Sequence, residues 1–522
     1  MFFYFLDMPI VASGSKMVYM DPSQSVFNSP TMKFDWEESR EAFDKINQDY
    51  ADFESFNRIG EKFWKNGSTK GSLFKFSLRQ SQEKLSFSTI CYTDNIFEKL
   101  IEKFLNEAYL ALIFLKNVKS LKMFVIEKGS SSLKETFHIK AKDSSPNNNF
   151  SSTINQRVLD KDFASIEKLH HQIDLEQNLG GIVKKYSYVA CEHFGYAGEN
   201  AKFKEMMIDE ELSYVPLISI ALPIQGEDPG GHLFSALPLP LQVKCMSGIP
   251  AHINGFFALG PDRKDLKWKT LTDTTDSNDK TVHWNQCLIK EIVPVVYIDL
   301  IKYLAESFRP NDVYTAWPCR TVVDKKWHIF LEDFYQMMSS IKFIHVQPSN
   351  EYSEVSNVWF IDPERFSSES QKNVISQFMQ LANRKIAEVD SKLTNSFPKS
   401  FISWVDPPKA LQIIKEYHLH FIKFTDVEQT TILDFAIKSP SDWNILATTP
   451  ILRLLNGEYV ALSSIRTYLV KETELINLLP MVKNNILDTS VLNGSEHLTS
   501  MFETFVSQGL FFFSLLKILG DL

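Results

Sequence analysis

The sequence predicts an α+β protein in three parts: a sheet-and-helix part at 1–108, a mixed-sheet part at 109–310 and a mostly helical part at 311–522. Three observations carry this. A strand pattern gives way to a helical stripe before residue 108. Extended apolar stretches then follow one another closely up to Leu259, and helical periodicity dominates after Pro310.

Residues 71–79 alternate Leu73, Lys75 and Ser77 with Phe74, Phe76 and Leu78, which predicts a strand whose apolar face is the second set. From Asp94 the period lengthens. Ile96, Phe97, Leu100, Ile101, Phe104, Leu105 and Ala108 lie on one stripe of a helix, with Thr93 and Asp94 as cap candidates. Leu110 to Ile126 reads as two extended apolar stretches. Residues 128–157 are rich in Ser, Gly and Asn, including Asn147 to Asn149, and are expected to be loops around a short strand, FHIKAK. Tyr186 to Ala190, Val215 to Leu222, Leu233 to Leu241 and Ala251 to Leu259 read as further strands. The short gaps between the later ones favour antiparallel neighbours, in a sheet of about five strands.

His283 to Phe308 shows the most regular helical stripe, with Trp284, Leu288, Ile292, Val296, Leu300 and Leu304 four apart, and Pro294 is expected to kink or break it. In 371–393 the residues Val374, Ile375, Phe378, Leu381, Ala382, Ile386 and Val389 share a helical face, and VWFID at 358–362 reads as a strand.

Composition supports a folded chain: 44% of the 522 residues are hydrophobic and 41 are Phe, enough for several aromatic-rich cores. The net charge of −9 argues against phosphate neutralisation as the main task, so no nucleic-acid partner is expected. Both ends are apolar, but Asp7 and Lys517 interrupt runs too short to span a bilayer, so no membrane association is expected. The cysteines Cys91, Cys191, Cys245, Cys287 and Cys319 form no C-x-x-C pair, which fits a reducing, cytoplasmic setting.

Walker A, G-x-G-x-x-G, G-x-S-x-G and H-E-x-x-H motifs are absent. Three histidine groupings stand out: His170-His171, His418-x-His420 and Cys191-x-His193. Adjacent residues of a helix point about 100° apart, so the first pair cannot readily share a metal. His418 and His420 could share a strand face but lack a partner at obvious spacing. Glu227-Asp228-Pro229-Gly230-Gly231 has glycines suited to a phosphate loop, yet its two carboxylates would repel an anion, so a turn between strands is expected. Asp262 to Lys269 sets four cations beside Trp268, either as a solvated loop or as a phosphate-sensing one. No catalytic, cofactor-binding or metal-binding residue is assigned.

Gly231 to Trp268, GHLFSALPLPLQVKCMSGIPAHINGFFALGPDRKDLKW, followed by HWNQCLIKEIVPVVYIDLI from His283, resembles the repeated region of the sacsin family. The strand with its Leu-Pro-Leu-Pro turn, the Pro-x-His-x-Asn-Gly strand, the basic loop ending in Trp and the helix opening with Trp-Asn stand in the same order. Gly71 to Arg79, Ala111 to Val118 and Thr449 to Gly457 are weaker echoes.

The resemblance implies a relative of the ninety-kilodalton heat-shock chaperones. In that lobe a Glu/Asn helix, an Asp-x-Gly-x-Gly loop and a glycine lid hold ATP, and they precede a segment that Asp7 to Gly14 resembles. Residues 1–108 are therefore expected to be an N-terminally truncated remnant of the ATPase sheet, 109–310 a transducer-like middle domain and 311–522 a helical sacsin-like domain. Ser72 stands where the family has a threonine near the base. The resemblance implies a chaperone or co-chaperone fragment that binds client proteins beside seventy-kilodalton heat-shock chaperones, is not an enzyme and needs no cofactor. The alternative is part of a complete ATPase whose nucleotide site lies upstream of Met1, with Arg263 or Lys264 reaching the γ-phosphate. A third reading, a product without a stable fold, predicts no cooperative melt.

Overall fold

The computed structural model describes residues 9–21, 23–24, 27–38, 40–41, 45, 69–76, 78–79, 91, 93–127, 132–142, 148–240, 246–268, 279–308, 310–397, 399–438, 442, 444–461, 468–469, 484–491, 494–500 and 513–514. They combine helices and sheets in an α+β fold. The chain divides into two compact units: one holds residues 1–146, 172–187 and 225–227, the other holds 147–171, 188–224 and 228–522. Among the described residues no helix is long and apolar enough to cross a membrane.

The first unit opens with β1 (Ile10–Gly14), β2 (Lys16–Met20), β3 (Thr31–Asp35) and β4 (Thr69–Lys75), an antiparallel sheet in the order β3-β2-β1-β4. Ile10, Ala12, Met17, Tyr19, Phe34 and Leu73 form its core. The expected strand at 71–79 is present with its faces exchanged. Leu73 is buried opposite Ala12, whereas Phe74 and Phe76 are 47% and 41% exposed. Register decides this: β1 buries Ile10 and Ala12, and their cross-strand partners on β4 are the odd-numbered residues.

Helix α1 (Asp94–Ile113) starts where the stripe predicts, with Thr93 extended at the N-cap but making no capping hydrogen bond. It runs on through Tyr109, Leu110, Leu112 and Ile113, so the first of the two stretches expected to be extended is helical as far as Ile113; burial on nearly all sides of the last turns removes the polar residues that would reveal a helical period. The second stretch is β5 (Ser120–Val125), which pairs with β6 (Lys134–Ala141). Asn148 and Asn149, expected in a loop, open helix α2 (Asn148–Leu159), which falls in the second unit. Asn147 lies outside the described residues.

Strands β7 (Glu167–Leu179) and β8 (Ile182–Phe194) contribute residues to both units. In the second unit the sheet continues through β9 (Leu217–Gln225), β12 (His252–Gly255), β10 (Leu233–Ser235) and β11 (Leu237–Pro238). β9 and β12 are antiparallel, as are β10 and β11, while β10 and β12 are parallel, which makes the sheet mixed. The stretch from Leu233 is split at Ala236, whose backbone turns to φ +64° and whose N–H donates to Asn254 Oδ1 at 2.9 Å. The stretch from Ala251 is strand only to Gly255.

After helix α3 (Ala201–Met207), the central helix runs as α4 (Lys280–Cys287), a π-helical turn (Leu288–Ile292) and α5 (Val293–Ser307). Pro294 lacks an amide hydrogen, and the wider turn before it lets the helix pass without breaking. The predicted stripe is fully buried from Trp284 to Leu304 and packs with α6 (His328–Met338) in the larger core. After the hairpin β13 (Ile344–Val346) and β14 (Glu351–Ser353), a small parallel sheet forms from β15 (Trp359–Ile361), β16 (Ile386–Glu388) and β17 (Ser403–Trp404). It joins α7 (Glu369–Leu381), α8 (Pro407–Glu416) and α9 (Asp426–Ala436) around a second core. The helix expected over 371–393 thus ends at Leu381, and Ile386 belongs to a strand.

Helix α9 begins with a capping box: the Thr425 N–H donates to Glu428 Oε2 at 2.8 Å, and the Glu428 N–H donates back to the Thr425 hydroxyl. Thr425→Ala is expected to cost about 1 kcal/mol, seen as a lower urea midpoint with an unchanged slope.

Candidate functional site

The residues that carry the family resemblance converge in the second unit. The turn after β9 places Asp228 so that its carboxylate, with no solvent exposure, accepts from the Tyr188 hydroxyl at 2.7 Å and the Gly230 N–H at 2.9 Å. His252 Nε2, on β12, lies 2.8 Å from the same carboxylate. Gly230 adopts φ +73°, and a Cβ there would meet the Pro250 carbonyl carbon at 2.6 Å, so the turn demands glycine on two counts. His232, two residues on, stacks on His252 with ring centroids 5.2 Å apart, and Phe234 meets His252 edge-on. Burial works to raise the Asp228 carboxyl, but the His252 contact, the Tyr188 hydroxyl and the Gly230 amide overcome it, and the group is held below its ordinary value. His232 is pushed down to about 4 by burial and by neighbouring His252, so it is neutral at neutral pH.

Two residues that open the central helix anchor the rest of the motif. Asn285 is fully buried; its Oδ1 accepts from the Ala258 N–H at 2.8 Å, and its Nδ2 donates to the carbonyls of Ala258 at 2.8 Å and Lys267 at 2.9 Å. Trp284 Nε1 donates to the Phe256 carbonyl at 2.8 Å. Between these anchors lies the basic loop. Arg263 and Lys264 are exposed, Arg263 with φ +55°, while Lys267 pairs with Asp279 at 2.6 Å. Lys269 lies outside the described residues.

A cavity of about 570 Å³ opens beside the π-helical turn, with Ile166, His193, Tyr196, Asn200, Lys290, Glu291, Asp333 and Met337 among its lining. The Glu291 carboxylate accepts from the Tyr196 hydroxyl and, at 2.5 Å, from Asn200 Nδ2. Burial, reinforced by Glu291, pushes the Tyr196 hydroxyl up to about 12, and burial also raises Asp333. The wider helical turn is what directs Lys290, Glu291 and Ile292 to one wall.

The histidine groupings are kept apart. His170 and His171 lie on strand β7, not a helix: His170 stacks on Tyr303 and His171 faces Glu192 at 3.9 Å. His418 and His420 lie on a single helical turn, not a strand. Cys191 is a core residue whose thiol burial pushes up to about 12, and His193 Nε2 contacts the Gly195 carbonyl at 3.2 Å. Residues 227–231 do form the connection between β9 and β10. The grouping of Asp228, His232 and His252 was not legible locally, because 24 residues separate Asp228 from His252 and only the pairing of β9 with β12 closes the gap. The motif's own histidine was the available signal.

In the first unit, Ser72 donates to Ser13 at an exposed position. Phe74, Phe76, Ile96, Phe97, Leu100 and Phe104 are all exposed, so the outer half of the α1 stripe expected to be buried is open to solvent. Leu105 and Ala108, lower on the stripe, are buried.

Residues 1–138, which span β1 to β5 and most of β6, match the family model of the Sacsin domain, and the chain is sacsin-like. It is similar to sacsin from Homo sapiens, 25% identical over 503 residues that cover 88% of this chain. The chain spans 11% of the length of that relative.

Proposed function

We propose that this chain is a cytoplasmic, sacsin-like chaperone or co-chaperone segment that acts by binding unfolded client protein and does not hydrolyse ATP by itself. The observation that carries this is the set of exposed apolar side chains in the first unit, Phe74 and Phe76 at β4 and Ile96, Phe97, Leu100 and Phe104 on α1. These residues lie within the segment that matches the Sacsin domain. Among the described residues β4 is an edge strand, paired only with β1. Phe74 and Phe76, two apart on one face, offer apolar contacts to alternate side chains of an extended segment. The ligand of this mode is an extended, apolar stretch of polypeptide.

The Asp-x-Gly-x-Gly loop with which the resembled ATPase lobe reads adenine does not occur in the 522 residues, which supports a role without autonomous nucleotide chemistry. The resemblance to the sacsin family supports work beside a seventy-kilodalton heat-shock chaperone.

The test uses the purified full chain and a thermally unfolding reporter protein such as citrate synthase. The chain is expected to suppress aggregation near stoichiometric ratio, with no change on adding ATP and magnesium. The triple variant Phe74→Ser, Phe97→Ser, Phe104→Ser is expected to bind about tenfold more weakly, about 1.4 kcal/mol, with its circular dichroism unchanged. Equal suppression by the variant would overturn the assigned surface. Micromolar ATP binding in calorimetry would overturn the nucleotide-free role.

A further inference from the structure

We propose that Asp228, His232 and His252 form a zinc-binding site. Each offers one ligand atom, and the three atoms lie within 4.8 Å of one another. They come from three places in the fold: the turn after β9, the bridge between His232 and Met246, and strand β12. The site is built into the interior, since the side chains of Asp228 and His252 have no solvent exposure and His232 is 8% exposed. His232 and His252 each carry a buried Nδ1 with no hydrogen-bond partner. Since His252 faces Asp228 through Nε2, the orphan that an ion in this group would satisfy is His232 Nδ1, and a buried polar atom left unsatisfied is costly and uncommon.

The donor set selects the ion. Two imidazoles and a carboxylate suit zinc, whereas calcium and magnesium take oxygen ligands alone. Tyr188, 2.7 Å from the same carboxylate, holds and orients it in the manner of an outer-shell partner. Zinc bonds of about 2.0–2.2 Å in a tetrahedron put ligand atoms about 3.4 Å apart. That value lies between the 2.8 Å separation of Asp228 and His252 and the 4.8 Å limit of the group, so shifts of about an ångström complete the geometry.

The full 522-residue chain, stripped with a chelator, is titrated with zinc against a chromophoric chelator and separately with cobalt(II). One high-affinity equivalent is expected, with the visible absorption of tetrahedral cobalt and a melting temperature raised by the metal. His232→Gln preserves volume and leaves the Tyr188–Asp228–His252 hydrogen bonds in place, and it is expected to weaken zinc binding at least 100-fold and abolish the cobalt band. His171→Gln, on β7 and outside the group, is expected to change neither. Equal zinc affinity in the wild type and His232→Gln overturns the proposal. So does a wild-type chain that takes cobalt without a tetrahedral spectrum, a result that needs no variant to fold.

Discussion

Asn285→Leu is expected to lower the stability of the second unit by about 2–6 kcal/mol. The leucine is close in size, so the loss is not one of packing volume. Two backbone groups, the buried Ala258 N–H and the half-buried Lys267 carbonyl, lose their partner, while the Ala258 carbonyl keeps the Lys267 N–H at 2.9 Å. Each unsatisfied buried group costs about 1–3 kcal/mol. The measurement is the urea midpoint of the full chain, followed by tryptophan fluorescence because Trp284 is the neighbouring residue. A change below 1 kcal/mol would show that the Ala258 and Lys267 backbones find other partners, and would remove Asn285 as the clamp on the basic loop.

Acidification should destabilise the protein through His193. Burial, with nearby Lys168 adding to it, pushes this imidazole down to about 4, whereas in the unfolded chain it titrates near 6.5. Between those values the unfolded state binds more protons, so stability falls as pH drops from about 6.5 to about 4 and is not affected above that window. At 1.36 kcal/mol per unit, the full loss is about 3 kcal/mol. His193 is 2% exposed, so solvent screening takes little from this figure. His232 is pushed to a similar value and adds a parallel loss. His193→Gln is therefore expected to remove this residue's share of the fall, about 3 kcal/mol, read from urea midpoints at pH 7, 6, 5 and 4. A variant with the full wild-type slope would show that His193 is already solvated and titrating normally.

The strands at Tyr186–Ala190 and Val215–Leu222 were legible because short stretches rich in aromatic and β-branched residues favour strand over helix. The end of α1 was not, since Tyr109 to Ile113 is equally apolar as strand or helix and only burial on all sides distinguishes them. The face of β4 was misjudged because ring size favoured Phe74 and Phe76, while the register against β1 buried Leu73. Motif residues such as Trp284, Asn285 and His252 could be picked out by resemblance. Their roles could not, because each acts on backbone or side chains 18 to 28 positions away. The turn reading of 227–231 came from charge alone and placed Asp228 correctly without revealing what it grips.

A π-helical turn contains one residue more than an α-helical course through the same space would use. Relatives that lost it would show a single-position gap somewhere in 288–292 when their sequences are aligned with this one. Excision there would swing Lys290, Glu291 and Ile292 by about 100° relative to Val293. The Glu291 carboxylate would leave Tyr196 and Asn200, and the hollow it lines would close. The insertion and the cavity are then inherited or discarded together.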